Sequence, residues 1–207
     1  MFHLPSFREL TSVAERDYFA KTYTACSGLA VPEEFARAAT NQFFGLYAGD
    51  QLVGGFILGH GPGFRTIAVF AGENDQPKLY DRFSTKDNCT EICCFFIQRA
   101  YRQNTFYNFS TWAAMIYAQL RHGREIFLFG TCSRPLARLY GQTKKSILIH
   151  EDVLNGKPTF IFWGERRSCV QGMLKIMSHK LLRVFKISWT GLWRVSFGRA
   201  RRFKEGV

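Results

Sequence analysis

Glycine is missing from the one turn where it would be expected. The segment QRAYRQNTFYNFSTW, Gln98 to Trp112, holds none, although the chain has 18. It follows an apolar run, EICCFFI, and leads into a helical pattern. A strand, a basic turn and a helix start form an anion site, because free N–H groups at a helix N-terminus point at the ligand. Without glycine, any anion must approach that backbone past a Cβ. Other absences exclude whole classes. No run nears the roughly 20 apolar residues that cross a bilayer. No P-loop, H-E-x-x-H or C-x-x-C pair occurs, and no G-x-S-x-G elbow or papain-type cysteine context. Cys26, Cys89, Cys93, Cys94, Cys132 and Cys169 lack metal-like spacing. No metal is expected, and no covalent nucleophile. The start, MFHLPSFREL, has neither a basic n-region nor an apolar h-region. A reducing, cytoplasmic setting follows as an expectation.

Acids are scarce in the last fifth of the chain. Residues 166–207 hold 11 Lys/Arg and a single acid, Glu205, whereas residues 1–165 hold 17 basic and 15 acidic residues. Nearly all of the net charge of +12 therefore sits in the tail. A near-neutral body with a cationic tail implies an anionic partner for the tail. The expected division is a domain over 1–165 and a basic amphipathic helical tail over 166–207.

What is present reads as an α/β pattern. Residues 6–24 have helical spacing, with Leu10, Val13 and Tyr18 on one side, and Ser12 can cap with Glu15. Pro32 opens a short helix with acids in its first turn. NQFFGLYAGDQLVGGFILG reads as a hairpin around Ala48-Gly49-Asp50-Gln51. FRTIAVFAG, residues 64–72, reads as a third strand. Residues 73–88 read as irregular, or as a short helix within a long loop. TEICCFFIQ is a fourth, buried strand. A helix over 106–122 turns Tyr107, Trp112, Met115, Ile116 and Leu120 inward and ends at Gly123. EIFLFGTC is a fifth strand, and SRPLARLYGQT a short helix capped by Ser133. A second hairpin turns at Leu154-Asn155-Gly156-Lys157, the strongest short hairpin signature.

This order resembles the GNAT fold of the Gcn5-related acyltransferases, a mixed central sheet flanked by helices, over roughly residues 6–165. Four features carry the resemblance: the GLYAGDQLVGGFILG hairpin, the strand, basic turn and helix at 90–112, the passage FLFGTCSRPLARLYGQ, and the final antiparallel pair. The resemblance implies an acyltransferase that moves an acyl group, chiefly a fatty acyl group, from a thioester to an amine. The donor is acyl-CoA, or acyl-phosphopantetheine on an acyl carrier protein. In that family the fourth strand runs into a Gln/Arg-x-x-Gly-x-Gly/Ala turn whose amides hold the donor pyrophosphate. Here the same place has Arg99 and Arg102 for charge, with Gln103, Asn104 and Thr105 where glycines are expected. Family members that use carrier-bound acyl chains, such as long-chain N-acyl amino acid synthases and autoinducer synthases, also depart from the glycine pattern. Three readings stay open: a carrier arm or an unusual CoA pose, ordinary CoA binding, and a silent domain that serves as a binding module.

Acyl transfer needs a base, an oxyanion donor and an acid. By resemblance, Tyr140 in ARLYGQT is the acid, and a backbone N–H at Phe96, Ile97 or Gln98 is the oxyanion donor. Tyr140 also suits a core position under its helix. Glu91 is a candidate base, because burial would raise its pKa; a strand-edge surface carboxylate is the alternative. His150 lies beside Glu151 and Asp152 and is a second candidate base. His60, in GHGPG, is a third. Phe43, Phe44, Phe56, Phe95, Phe96 and Trp112 form a core, and a subset suits a slot for an acyl chain.

In the tail, Met173, Ile176, Met177, Leu181, Leu182 and Phe185 recur at helical spacing between Lys175, Lys180, Arg183 and Lys186, and GRARRFK follows Trp189 and Trp193. A basic helix with an apolar side suits an anionic membrane surface, here through residues 173–204. Packing on the body, a homodimer contact and an acidic carrier protein are alternatives. The near-neutral body argues against a nucleic-acid partner.

Overall fold

The computed structural model describes residues 4–61, 63–84, 88–142 and 144–178. Its elements are β1 Pro5–Leu10, α1 Val13–Ser27, α2 Glu33–Arg37, β2 Gln42–Ala48, β3 Gln51–Gly59, α3 Arg65–Phe70, α4 Gln76–Ser84, β4 Cys89–Ile97, a 3-10 turn Arg99–Tyr101, α5 Thr105–His122, β5 Ile126–Thr131, α6 Arg134–Gln142, β6 Ile147–Leu154 and β7 Lys157–Glu165. One seven-stranded sheet runs in the order β1-β2-β3-β4-β5-β7-β6. Every pairing is antiparallel except β4 with β5.

Both hairpins form where expected. Asn155 and Gly156 have φ of 52° and 72°, the left-handed pair that a two-residue turn needs between right-twisted strands. Gly49 has φ 60° at the other turn. The Ser12–Glu15 capping box is made in both directions.

Three sequence expectations are corrected. Residues 6–24 are not one helix. Residues 5–10 pair with β2 from Pro5↔Ala48 to Leu10↔Phe43, and the helix starts only at the Ser12 cap. Phe7 stacks on Phe44 at 5.5 Å, a contact that helical spacing did not reveal. Val13 and Tyr18 are exposed, and Phe19 and Tyr23 are the buried members of α1. Residues 65–70 form helix α3 rather than a strand. A short apolar run suits either state. The Glu91 carboxylate settles it by accepting the N–H of Arg65 at 2.9 Å and of Thr66 at 2.8 Å, so the first turn of the helix is capped from β4. Leu120 is exposed, while Tyr107, Trp112, Met115 and Ile116 are buried.

The sheet has two covered faces. On one, α1 and α2 pack over Phe43, Ile57 and Phe96, and α3 and α4 pack over Cys89, Leu128 and Ile161. On the other, Tyr107 of α5 meets Leu46 and Val53, and Ala137 and Tyr140 of α6 meet Phe160 and Phe162. Backbone packing divides the chain into Met1–Met173 and Leu174–Val207. Residues 166–178 are helical. The rest of the expected amphipathic tail, including Leu181, Phe185, Trp189 and GRARRFK, lies outside the described residues.

Candidate active site

The parallel strands β4 and β5 diverge. They pair only from Cys89↔Ile126 to Ile92↔Phe129, although β4 continues to Ile97 and β5 to Thr131. A bulge in β4 starts the divergence. The register with β3 shifts between Gly55↔Phe96 and Ile57↔Cys93, and Cys94 takes φ 52°, rare for a residue with a side chain. Beyond the bulge the strand is regular. Gln98 donates its N–H to Val53 O at 2.8 Å, so it faces β3. Backbone groups alternate along a strand, so the N–H of Ile97 faces the other way, into the gap left by β5.

The turn after β4 caps itself. Tyr101 N donates to Gln98 O, Arg102 N to Arg99 O, Asn104 N to Tyr101 O, and Phe106 N to the Asn104 side chain at 2.9 Å. Asn104 is thus the N-cap of α5. Asn108 Nδ2 adds bonds to the carbonyls of Arg102 and Asn104. The Arg102 side chain folds back through Nε onto Ile97 O at 2.7 Å. Four amides of this turn are therefore already donors within the protein. Arg99, Gln103 and Thr105 are exposed.

The predicted chemical groups lie on two faces. Tyr140 meets Phe129 and Phe162 edge-on at 5.1 and 5.7 Å, on the α6 side. Burial pushes its hydroxyl up to about 12, so it keeps its proton at neutral pH. His150 pairs with Ile161, which packs under α3 and α4. His150 is thus on the opposite face from Tyr140. It lies across β7 from Gly130, about 10 Å away at two strand spacings. Its Nε2 is buried without a hydrogen bond. Glu91 is 1% exposed, and its two oxygens are the cap of α3. Burial raises its pKa, opposed by the N–H groups of Thr66 and Arg65.

His60 belongs to a chain of bonds at the other end of β4. Thr90 Oγ1 accepts from Arg124 N and contacts His60 Nδ1 at 3.1 Å, His60 Nε2 lies 3.4 Å from Gln42 Oε1, and Gln42 Nε2 lies 3.2 Å from His122 Nδ1. Burial, then the charges of Arg124 and His122, push His60 down to about 4. It is a neutral connector and does not lie at the gap.

Sequence reasoning missed Arg65. It fell inside the segment 64–72 that the sequence reads as a strand. The structure buries it to 8% exposure. Its Nε donates to Cys94 Sγ at 3.1 Å and its Nη2 to Ala30 O at 2.5 Å. A charged side chain beside a run of six apolar or small residues was the one available hint.

No family model and no curated protein matches the sequence. Solved structures do match, and they show that the chain has the GNAT fold. FeeM, an N-acyl amino acid synthase from uncultured soil microbes, superposes with a TM-score of 0.59 at 17% identity, covering 80% of this chain and 93% of FeeM. A GNAT-family protein from Desulfovibrio desulfuricans gives 0.50 at 12% identity, covering 78% and 99%. Arabidopsis thaliana NAA60 in complex with acetyl-CoA gives 0.52 at 9% identity, covering 78% and 98%.

Proposed function

We propose that this chain is an N-acyltransferase that moves an acyl group, chiefly a fatty acyl group, from a CoA or carrier-protein thioester to an amine. The observation that carries the proposal is the gap between β4 and β5, with the Ile97 N–H directed into it. A thioester carbonyl in that gap accepts the Ile97 N–H, which stabilises the oxyanion as the carbonyl becomes tetrahedral. The amine nitrogen forms the new C–N bond, the C–S bond breaks, and the thiolate takes a proton. On this reading Tyr140, which still holds a proton at neutral pH, gives it to the thiolate. The amine approaches from the opposite face, where His150 is the candidate for its proton. Glu91 already serves α3 with both oxygens, so it is assigned no proton transfer here.

The FeeM likeness supports an acyl-amine product, and the NAA60 complex supports a CoA-type donor. The self-capped turn favours a second reading, a silent GNAT-fold binding module, because the amides that would cradle a pyrophosphate are engaged. Thiol release from palmitoyl-CoA and from palmitoylated carrier protein, followed with and without added amine, decides between the two. Amine-dependent release is expected. Tyr140→Phe is expected to slow it about 10- to 100-fold with donor binding unchanged. If the variant turns over like the parent chain, Tyr140 is not the acid.

A further inference from the structure

Helix α5 turns apolar side chains to the solvent. A surface helix ordinarily presents charged and polar residues on its outer side. At about 100° per residue, Phe106, Ala113, Tyr117 and Leu120 fall on one line about 20 Å long. Phe106 is 44% exposed, Tyr117 52% and Leu120 58%, and Ala113 is exposed between them. The helix carries no charged side chain before Arg121. Its other side is already used, since Tyr107, Trp112, Met115 and Ile116 are buried. Single apolar residues scattered on a surface are ordinary, but a line of them along one helix marks a contact surface.

Charge identifies the partner. From Ile92 to Arg124 the chain holds no Asp or Glu and four arginines, Arg99, Arg102, Arg121 and Arg124. All four are exposed, two just before α5 and two at its far end. Arg121 Nη1 donates to the Tyr117 hydroxyl at 2.7 Å, which fixes a basic group beside the apolar line. The cationic tail also starts here. Arg166 Nη1 donates to Gly123 O at 2.8 Å, just past the end of α5, and Gln119 Nε2 lies 3.9 Å from Met173 Sδ. Residues 179–207 follow, with eight Lys/Arg and one acid. An apolar line with arginines at both ends suits an anionic bilayer. The apolar side chains enter the acyl boundary while the guanidinium groups stay among the headgroups. A second copy of the chain fits worse, because it would set arginines against arginines.

We propose that the outer side of α5 is a membrane-docking surface, which lies in the interface of an anionic bilayer as a contact additional to the tail. The inference does not depend on the acyltransferase reading. Where that reading holds, the turn that precedes α5 sits at the lipid surface, where long acyl chains gather.

The test uses the full chain and sedimentation with phosphatidylglycerol vesicles. The parent chain is expected to bind. Tyr117→Ser combined with Leu120→Ser is expected to weaken that binding at least about tenfold while the tail is intact. Both positions are exposed, so the double variant is expected to melt like the parent chain. No binding by the parent chain, or unchanged binding by the folded double variant, overturns the inference. A double variant that keeps its hold on vesicles but loses an acidic acyl carrier protein overturns it too, and assigns the line to a protein partner. If the double variant does not fold, Ala113→Trp decides, because it adds apolar surface to the same line. Binding about threefold tighter or more supports the inference, and an unchanged affinity overturns it.

Discussion

Single residues here are set by their surroundings more than by their type. Three of the four groups proposed as proton carriers from the sequence have three different fates. Tyr140 is held protonated by burial, Glu91 is a helix cap, and His60 is a neutral link between Thr90 and Gln42. His60 makes a pH prediction. Its folded pKa, about 4, lies below the ordinary value of 6.5, so the unfolded chain binds the proton more readily. The stability it contributes is complete above pH 6.5 and is lost as the pH falls towards 4. Thermal melts between pH 7 and 4.5 are expected to show a shallower loss for His60→Gln than for the parent chain. Parallel curves would mean that His60 is protonated at no extra cost in the folded state.

At the scale of elements, α3 shows how a side chain on one strand can decide the state of a distant segment. Residues 65–70 carry a strand-like composition, and Glu91 converts them to a helix. The helix then needs room on the sheet. Gly130 supplies it: a Cβ there would lie 2.2 Å from Phe70 Cδ2 and 3.0 Å from Thr66 Cγ2. Gly130→Ala is therefore expected to destabilise the fold by about 1–3 kcal/mol, measured by urea denaturation. An effect below half a kcal/mol would mean that α3 can shift without loss. Helix α5 is the simpler case. By residue type either Asn104 or Thr105 could cap it, and the structure uses Asn104.

At the scale of the whole molecule, charge and chemistry are separated. The body is near neutral and holds the gap, whereas residues 166–207 carry 11 of the 28 Lys/Arg. Among the described residues no helix is long and apolar enough to cross a membrane. We propose attachment to an anionic membrane surface through the tail. Full-length chain is expected to sediment with phosphatidylglycerol vesicles and not with phosphatidylcholine vesicles. At about 1 kcal/mol per basic side chain, replacing Arg199, Arg201, Arg202 and Lys204 with Gln is expected to weaken that binding at least tenfold. Unchanged binding by the fourfold variant would assign the tail to another partner.

The amino-acid order alone determined the pieces governed by neighbours in the chain. These are the two hairpins with their Gly-Asp and Asn-Gly turns, the Ser12 cap, helices α5 and α6, and enough of the element order to resemble the GNAT fold. Local turn chemistry and capping need only a few consecutive residues, so the sequence contains the whole cause. Tertiary structure decided whatever depends on residues far apart in the chain. It made residues 5–10 a strand by giving them β2 as a partner, and residues 65–70 a helix by bringing Glu91 to their amides. It also placed His150 and Tyr140 on opposite faces and opened β4 from β5 at the Cys94 bulge. It also buried Arg65, whose guanidinium donates to the Cys94 sulfur and to the Ala30 carbonyl, groups that are far from it in the chain.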